Sequence, residues 1–295
     1  MATNAHSPIA VALAGAGPWA AKALAPMLAA GPETRLAVVW SRRPEAAREL
    51  AAAHGAEVAT TFDALLERCD AVAFAVPPDV QADLAPRAAR AGKALLLEKP
   101  LALTLEAAER LAGVVEETGV TTQLMLTHRF RSCTDEFLAQ AAGWNAFGAR
   151  LAFLSSAFLR GPYACAWRIE HGALHDLGPH ALDLLEAAMG PIETLICRGD
   201  PRRFVALACR HEGGAVSDVA LSGVTPIEPT IFRLDLYGPR GALAFDAVAA
   251  SAEEPWAEAR RRFAEAFHSR QPSNPDVRRG LHLQRLIDRA LRSLA

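Results

Sequence analysis

The chain has 295 residues, of which 51% are hydrophobic and 22% charged, and its formal net charge at pH 7 is -2. That length suggests about two domains and is enough for a substantial core. The charge balance excludes a general nucleic-acid binder, which needs concentrated positive charge, and no apolar run approaches the roughly 20 residues that cross a bilayer.

Five cysteines, Cys69, Cys133, Cys165, Cys197 and Cys209, are scattered without metal-ligand or redox spacing, so no metal site is expected. An odd number of them fits free thiols in a reducing compartment. Met1 to Pro8 is polar and lacks the basic-then-apolar layout of a signal peptide. These features place the protein in the cytoplasm.

Ile9 to Ala14 is a short apolar run, followed by Gly15-Ala16-Gly17-Pro18-Trp19-Ala20 and an alanine-rich helical stretch to about Ala30. This strand, glycine turn and helix order is that of a dinucleotide fingerprint. Gly15 suits the tight turn. Gly17 has no side chain to hold a pyrophosphate off the backbone, and Ala20 allows close packing of helix on strand. Pro18 suits a first helical turn, whose free N–H groups attract phosphate. Coenzyme contacts are therefore expected from Gly15, Gly17, Pro18 and Trp19. Glycine turns also arise for purely structural reasons, so the motif needs its flanking elements.

Alternation continues with strands at Leu36–Trp40, Glu57–Ala59, Ala71–Val76, Ala94–Leu97 and Thr121–Leu126. Helices fall between them at Pro44–Ala53, Phe62–Arg68, Val80–Ala91 and from Thr104 to Thr118. This spacing predicts a parallel sheet with right-handed crossovers. An NAD-type site usually carries an acidic residue at the end of the second strand. Here the chain reads Trp40-Ser41-Arg42-Arg43. Two guanidinium groups and a hydroxyl suit a phosphate, so NADP is favoured, with NAD as the other candidate. A solvated loop before Pro44 is the competing explanation. Pro77, after the fourth strand, offers a stiff wall beside the coenzyme or a merely structural turn.

Glu98-Lys99-Pro100 ends the fifth strand and puts charge at the carboxyl edge of the sheet, where ligands bind in open α/β folds. A surface lysine is the plain alternative.

From Ala149 the texture changes. Strands are expected at Leu151–Leu159, Glu193–Cys197, Phe204–His211, Ala215–Ser222, Phe232–Tyr237 and Ala242–Phe245, in an antiparallel sheet. A helical segment, Leu174 to Met189, interrupts them. At about 100° per residue, Asp176, His180 and Asp183 share one face. Pro179 puts Asp176 in or beside the first turn. A histidine one turn from a carboxylate can exchange protons near neutral pH; a histidine satisfied by local hydrogen bonds is the other reading. The predicted organisation is a dinucleotide-binding Rossmann domain over 1–127. An α+β domain follows over 128–295, with a large, mostly antiparallel open sheet for substrate binding and oligomerisation. The arginine-rich end, Trp256 to Ala295, reads as helices with a solvated face, packed back on the first domain.

The glycine turn, Glu98-Lys99-Pro100 and the Asp176 to Asp183 run, in that order and spacing, resemble the Gfo/Idh/MocA oxidoreductase family, which includes glucose-fructose oxidoreductase and inositol dehydrogenase. The resemblance implies NAD(P)-dependent redox chemistry on a sugar, cyclitol or related polyol, and a homodimer or homotetramer. It places Lys99 beside the nicotinamide, with Asp176 and His180 facing it. Two departures concern the substrate: Glu170-His171-Gly172 stands where a glycine-rich run is usual, and His175 where an apolar residue is.

The expected mechanism is hydride transfer between nicotinamide and a carbonyl or carbinol carbon. His180 exchanges the proton, Lys99 stabilises the developing charge, and Asp176 holds a substrate hydroxyl. Trp167, Arg168 and His128 are further candidates for lining the substrate pocket. Competing outcomes on the same scaffold are glycoside cleavage through transient oxidation, C=N reduction, and a non-catalytic NADP-binding sensor. No nucleic acid or membrane partner is expected.

Overall fold

In the computed structural model, which describes residues 7–250 and 254–294, the chain divides into two units. The first comprises Met1–Met125 with Trp256–Leu281, the second Leu126–Pro255 with His282–Ala295.

The first unit is built on β1 (Ile9–Ala14), β2 (Thr34–Trp40), β3 (Glu57–Val58), β4 (Ala71–Phe74), β5 (Ala94–Leu97) and β6 (Thr122–Leu124). They form one parallel sheet in the order β3-β2-β1-β4-β5-β6. β1, β4 and β5 are buried along their whole length, as strands covered on both faces must be. Strand order reverses between β1 and β4, the place where a crevice opens at the carboxyl ends of such strands.

The helices of this unit are α1 (Ala25–Ala29), α2 (Pro44–His54), α3 (Phe62–Leu66), α4 (Pro78–Arg90) and α5 (Leu105–Thr118). Thr61 and Thr104 cap α3 and α5 by accepting backbone N–H groups, and Gly119 closes α5 in the left-handed conformation. An alanine-rich helical stretch is expected from about Ala20 to Ala30. It opens with a π-helical turn, Ala20–Leu24, before α1, and the Ala25 N–H bonds the Ala20 carbonyl. Pro26 accounts for it, because proline has no N–H and its ring displaces the carbonyl four residues back.

The chain returns to this unit through α9 (Trp256–Ser269) and the start of α10 (Val277–Arg292). The Leu124 N–H bonds the Pro275 carbonyl at 2.8 Å, and the Gln123 amide bonds the Ala259 carbonyl at 2.9 Å. Arg260, nearly buried, pairs with Glu33 at 3.1 Å. The returning segment thereby covers the open edge of β6.

The second unit contains α6 (Ser132–Ala141), β7 (Gly148–Leu154), α7 (Ala166–Asp176), α8 (Gly178–Met189), β8 (Ile192–Asp200), β9 (Phe204–His211), β10 (Val216–Ser222), β11 (Ile231–Gly238) and β12 (Gly241–Asp246). The sheet order is β12-β11-β7-β10-β9-β8. All neighbours are antiparallel except β7 and β10. α8 packs on β7. Leu151, Leu207, Val219, Phe232 and Leu234 are buried in this unit, each contributing about 1.5–3 kcal/mol of transfer free energy. The exposed positions of the strands include Ile196, Phe204, Val216 and Tyr237, 40% to 55% accessible.

One local expectation needs correcting and another holds. The strand expected to reach Leu159 ends at Leu154. The helical segment expected over Leu174–Met189 is found: α7 and α8 meet at Leu177, whose own angles are right-handed helical, and the break in helical geometry lies before it, at Gly172 with φ 73° and ψ -165°. Pro179 withholds one N–H of this run, and Asp176, three residues past Ala173, stands in its first turn as expected.

Candidate active site

At the end of β1 the backbone must turn sharply under the phosphates of any nucleotide. Gly15 makes that turn at φ 116°, its N–H bonding the Trp40 carbonyl at 2.8 Å. A Cβ at Gly15 would strike the Ala75 carbonyl, whereas one at Gly17 would meet nothing. Gly15 is thus required by the fold, and Gly17 leaves open space. That space is a cavity of about 440 Å³, lined by Gly15, Ala16 and Gly17, by Trp40, Ser41, Arg42 and Arg43, and by Ala75, Val76, Pro77 and Val80.

The Arg43 guanidinium donates to the Ala16 carbonyl at 3.4 Å, and the Arg43 backbone N–H donates to Ser41 Oγ at 3.2 Å. Arg42 is exposed on the same wall. Trp19 does not line the cavity. Its indole N–H donates to Glu98 Oε1 at 2.6 Å, while its ring packs edge-on to Trp256 at 5.9 Å. The Lys99 N–H bonds Glu98 Oε2 at 3.3 Å, and the Lys99–Pro100 peptide is cis. Lys99 itself is half-buried.

In the second unit, Asp176, His180 and Asp183 are all buried. Arg168 pairs with Asp176 at 3.1 Å and lies over the rings of Trp167 and Tyr163, 4.6 and 5.5 Å from their centroids. Burial alone would pull the Arg168 pKa down; Asp176 and Cys165 outweigh it and hold it above the ordinary value. Arg129 pairs with Asp183 at 3.3 Å. The His180 ring meets His128 edge-on at 5.4 Å, and His128 meets Phe232 at 4.7 Å. Phe232 stacks on Phe153 at 4.2 Å. An aromatic wall therefore fixes the imidazole of His180.

Comparison with known proteins now adds to this geometry. The model of an oxidoreductase family with an NAD-binding Rossmann fold, GFO_IDH_MocA, matches residues 9–126. The dTDP-3,4-didehydro-2,6-dideoxy-alpha-D-glucose 3-reductase of Streptomyces violaceoruber is 32% identical over 252 residues, covering 80% of this chain and 72% of that enzyme. The enzyme of the same name from Actinomadura kijaniata is 38% identical over 116 residues, and the match spans only 35% of its length. Inositol 2-dehydrogenase of Rhizobium meliloti is 39% identical over 100 residues, 33% of this chain and 30% of that enzyme. Among solved structures, GenD2 from gentamicin A biosynthesis in complex with NAD superposes with a TM-score of 0.86 at 22% identity, over 99% of this chain and 96% of that one. The chain belongs to the Gfo/Idh/MocA oxidoreductase family.

A family nucleotide fits the residues present. The open face of Gly17, the turn at Gly15 and the donors of Ser41 and Arg42 surround one cavity. Of the residues expected to hold it, Gly15, Gly17, Ser41, Arg42, Arg43 and Pro77 line that cavity, whereas Pro18, Trp19, Glu98 and Lys99 stand outside its lining. In the second unit, Trp167, Arg168 and Asp176 form one cluster, and His128 and His180 another. His128 lies on a 3-10 turn, Thr127–Phe130, beyond the last Rossmann strand. Sequence reasoning passed over Arg129 as the partner of Asp183, and over Gln81, whose side chain bonds the backbone around Lys99. Nothing in their local sequence marks either contact.

Proposed function

We propose that this family member transfers a hydride between NADP and a carbonyl or hydroxyl carbon of a sugar, cyclitol or related small polar substrate. The observation that carries the reading is the cavity at the β1–β4 reversal. Its walls combine a glycine turn with Ser41, Arg42 and Arg43 and offer no carboxylate to the ribose. Guanidinium forks suit a 2′-phosphate. The substrate class follows the names of the relatives, a deoxysugar reductase and an inositol dehydrogenase.

When bound, the nicotinamide supplies or accepts the hydride. His180 exchanges the proton at the substrate oxygen, held in orientation by His128 and the Phe153–Phe232 stack. Lys99 lowers the energy of the charge that grows on that oxygen. Asp176, held by Arg168, accepts a substrate hydroxyl. The exposed apolar residues Ile196, Phe204, Val216 and Tyr237 support a homo-oligomer formed through the open sheet.

Nicotinamide absorbance with a panel of sugars, ketosugars and cyclitols, run with both coenzymes, tests the proposal. Turnover with at least one such substrate, and a lower KM for NADPH than for NADH, is expected. Turnover confined to imines, or a lower KM for NADH, overturns it.

A further inference from the structure

Lys99 lies two residues beyond the end of β5, where the sheet no longer holds the chain on both sides. β4 accompanies β5 only as far as the Ala73–Leu96 pair, then departs into α4. The backbone of Glu98 consequently has no strand neighbour on that side. Gln81, the fourth residue of α4, fills the place.

Its side-chain amide behaves as a peptide group. Gln81 Oε1 accepts the Glu98 N–H at 2.8 Å, and Gln81 Nε2 donates to the Glu98 carbonyl at 2.8 Å. The same nitrogen also donates to the Leu101 carbonyl at 3.1 Å and approaches that of Pro100 at 3.4 Å. Gln81 is 1% exposed. One amide thus grips the chain before and after Lys99, adding a rung to a ladder that the sheet has ended. Pro77 and Val80, just ahead of Gln81 in the chain, line the nucleotide cavity. A single helix start therefore joins the coenzyme wall to the lysine.

We infer that Gln81 is the positioning residue of Lys99: it sets where the ammonium stands relative to the coenzyme without touching coenzyme or substrate. The inference rests on the proposed role of Lys99 at the nicotinamide. A displacement of about 1 Å at a reacting group can cost two orders of magnitude in rate, so an anchor of this kind acts on turnover more than on coenzyme affinity. Glutamine is suited to the task because it both donates and accepts. Leucine can do neither. An ionised glutamate accepts only, and would face two carbonyl oxygens with a negative charge; a protonated glutamic acid restores one donor.

The chain contains three lysines, Lys22, Lys93 and Lys99, so the position of Lys99 can be read chemically without a substrate. Trace acetylation with acetic anhydride, quantified by peptide mass spectrometry, is compared with and without saturating NADP+ or NAD+. In the unaltered chain the coenzyme should shield Lys99 several-fold more than Lys22 and Lys93. In Gln81→Leu that selective shielding should disappear, while the coenzyme Kd, followed by tryptophan quenching, stays within a few-fold. In Gln81→Glu it should be lost near pH 8 and return near pH 6, because burial raises the pKa of a carboxyl into about that range.

The pH-dependent return separates positioning from simple damage to the fold, since a misfolded variant would not recover on acidification. Parental shielding in both variants, or shielding in Gln81→Glu that ignores pH, overturns the inference. Absence of shielding in the unaltered chain removes Lys99 from the coenzyme altogether, and with it the reading on which the inference stands.

Discussion

The Trp19 indole donates to the Glu98 carboxylate across 2.6 Å, tying the helix that follows the glycine turn to the residue before Lys99. The bond has a charged acceptor, which places it among the stronger hydrogen bonds of a protein. Replacing Trp19 by Phe keeps an aromatic ring against Trp256 and removes only the donor. The expected loss is about 1.5 kcal/mol, the low end for a bond to a charged group. Urea denaturation measures it. Glu98→Gln retains an acceptor and should cost less.

Arg42 and Arg43 share a wall but not a state. Arg43 is engaged with the Ala16 carbonyl at 3.4 Å, which leaves Arg42 the better placed to meet a 2′-phosphate. Arg42→Ala should raise the KM for NADPH about tenfold or more, the equivalent of a lost charge-assisted bond, and leave the KM for NADH within about twofold. Equal effects on the two coenzymes would assign Arg42 to the loop alone.

Most of the Rossmann sheet was legible in the sequence because buried parallel strands are short apolar runs between glycine, proline and capping threonine. Ile9–Ala14 and Ala94–Leu97 coincide with the strands found. The π turn after Gly17 was hidden, since Pro26 acts on a carbonyl several residues earlier. The kink at Gly172 was hidden, because the close approach of the Pro201 carbonyl that fixes it is a tertiary contact, whereas Pro179 did mark the start of the helical run that carries Asp176 and His180. Asp176 and His180 were legible as a spacing. Their partners Arg168 and His128 are set by packing, and the position of Gln81 opposite Glu98 depends on a crossover between two strands, which no local pattern encodes.

Cys209 provides a pH test. Burial in the sheet pushes its thiol up to about 12, above its ordinary 9.0. The folded state therefore holds its proton more tightly than the unfolded chain. Stability from this group is complete below pH 9 and is lost as pH rises towards 12. Cys69, raised to about 11 by burial, adds to the same slope. Each group can contribute up to about 1.4 kcal/mol per pH unit within its window. Denaturation midpoints across the alkaline range should fall less steeply in Cys209→Ala than in the unaltered chain.

Gly172 adopts φ 73° and ψ -165° inside α7, a conformation almost confined to glycine. A Cβ there would collide with the carbonyl of Pro201, the same carbonyl that accepts the Ala173 N–H at 2.8 Å. Neither backbone can withdraw without breaking that bond. Gly172→Ala should cost at least about 2 kcal/mol, read as a shift in the denaturation midpoint at unchanged slope.

His180 and Lys99 are asked to do different work, and kinetics can tell them apart. His180 sits against His128 and the Phe153–Phe232 stack, so removing its ring need not disturb the helix that carries it. His180→Ala should lower kcat by about 10²–10⁴-fold and abolish the limb of the pH–rate profile that reports its protonation. Lys99→Met removes charge without removing the proton donor. It should lower kcat while that limb survives, because the proton donor stays in place. If each residue acts on the same substrate oxygen, the double variant will lose less than the product of the two single losses, since the second removal acts on a transition state already unsupported. Strict multiplicativity would mean that the two groups work independently, and an unchanged pH profile in His180→Ala would hand the proton to another residue.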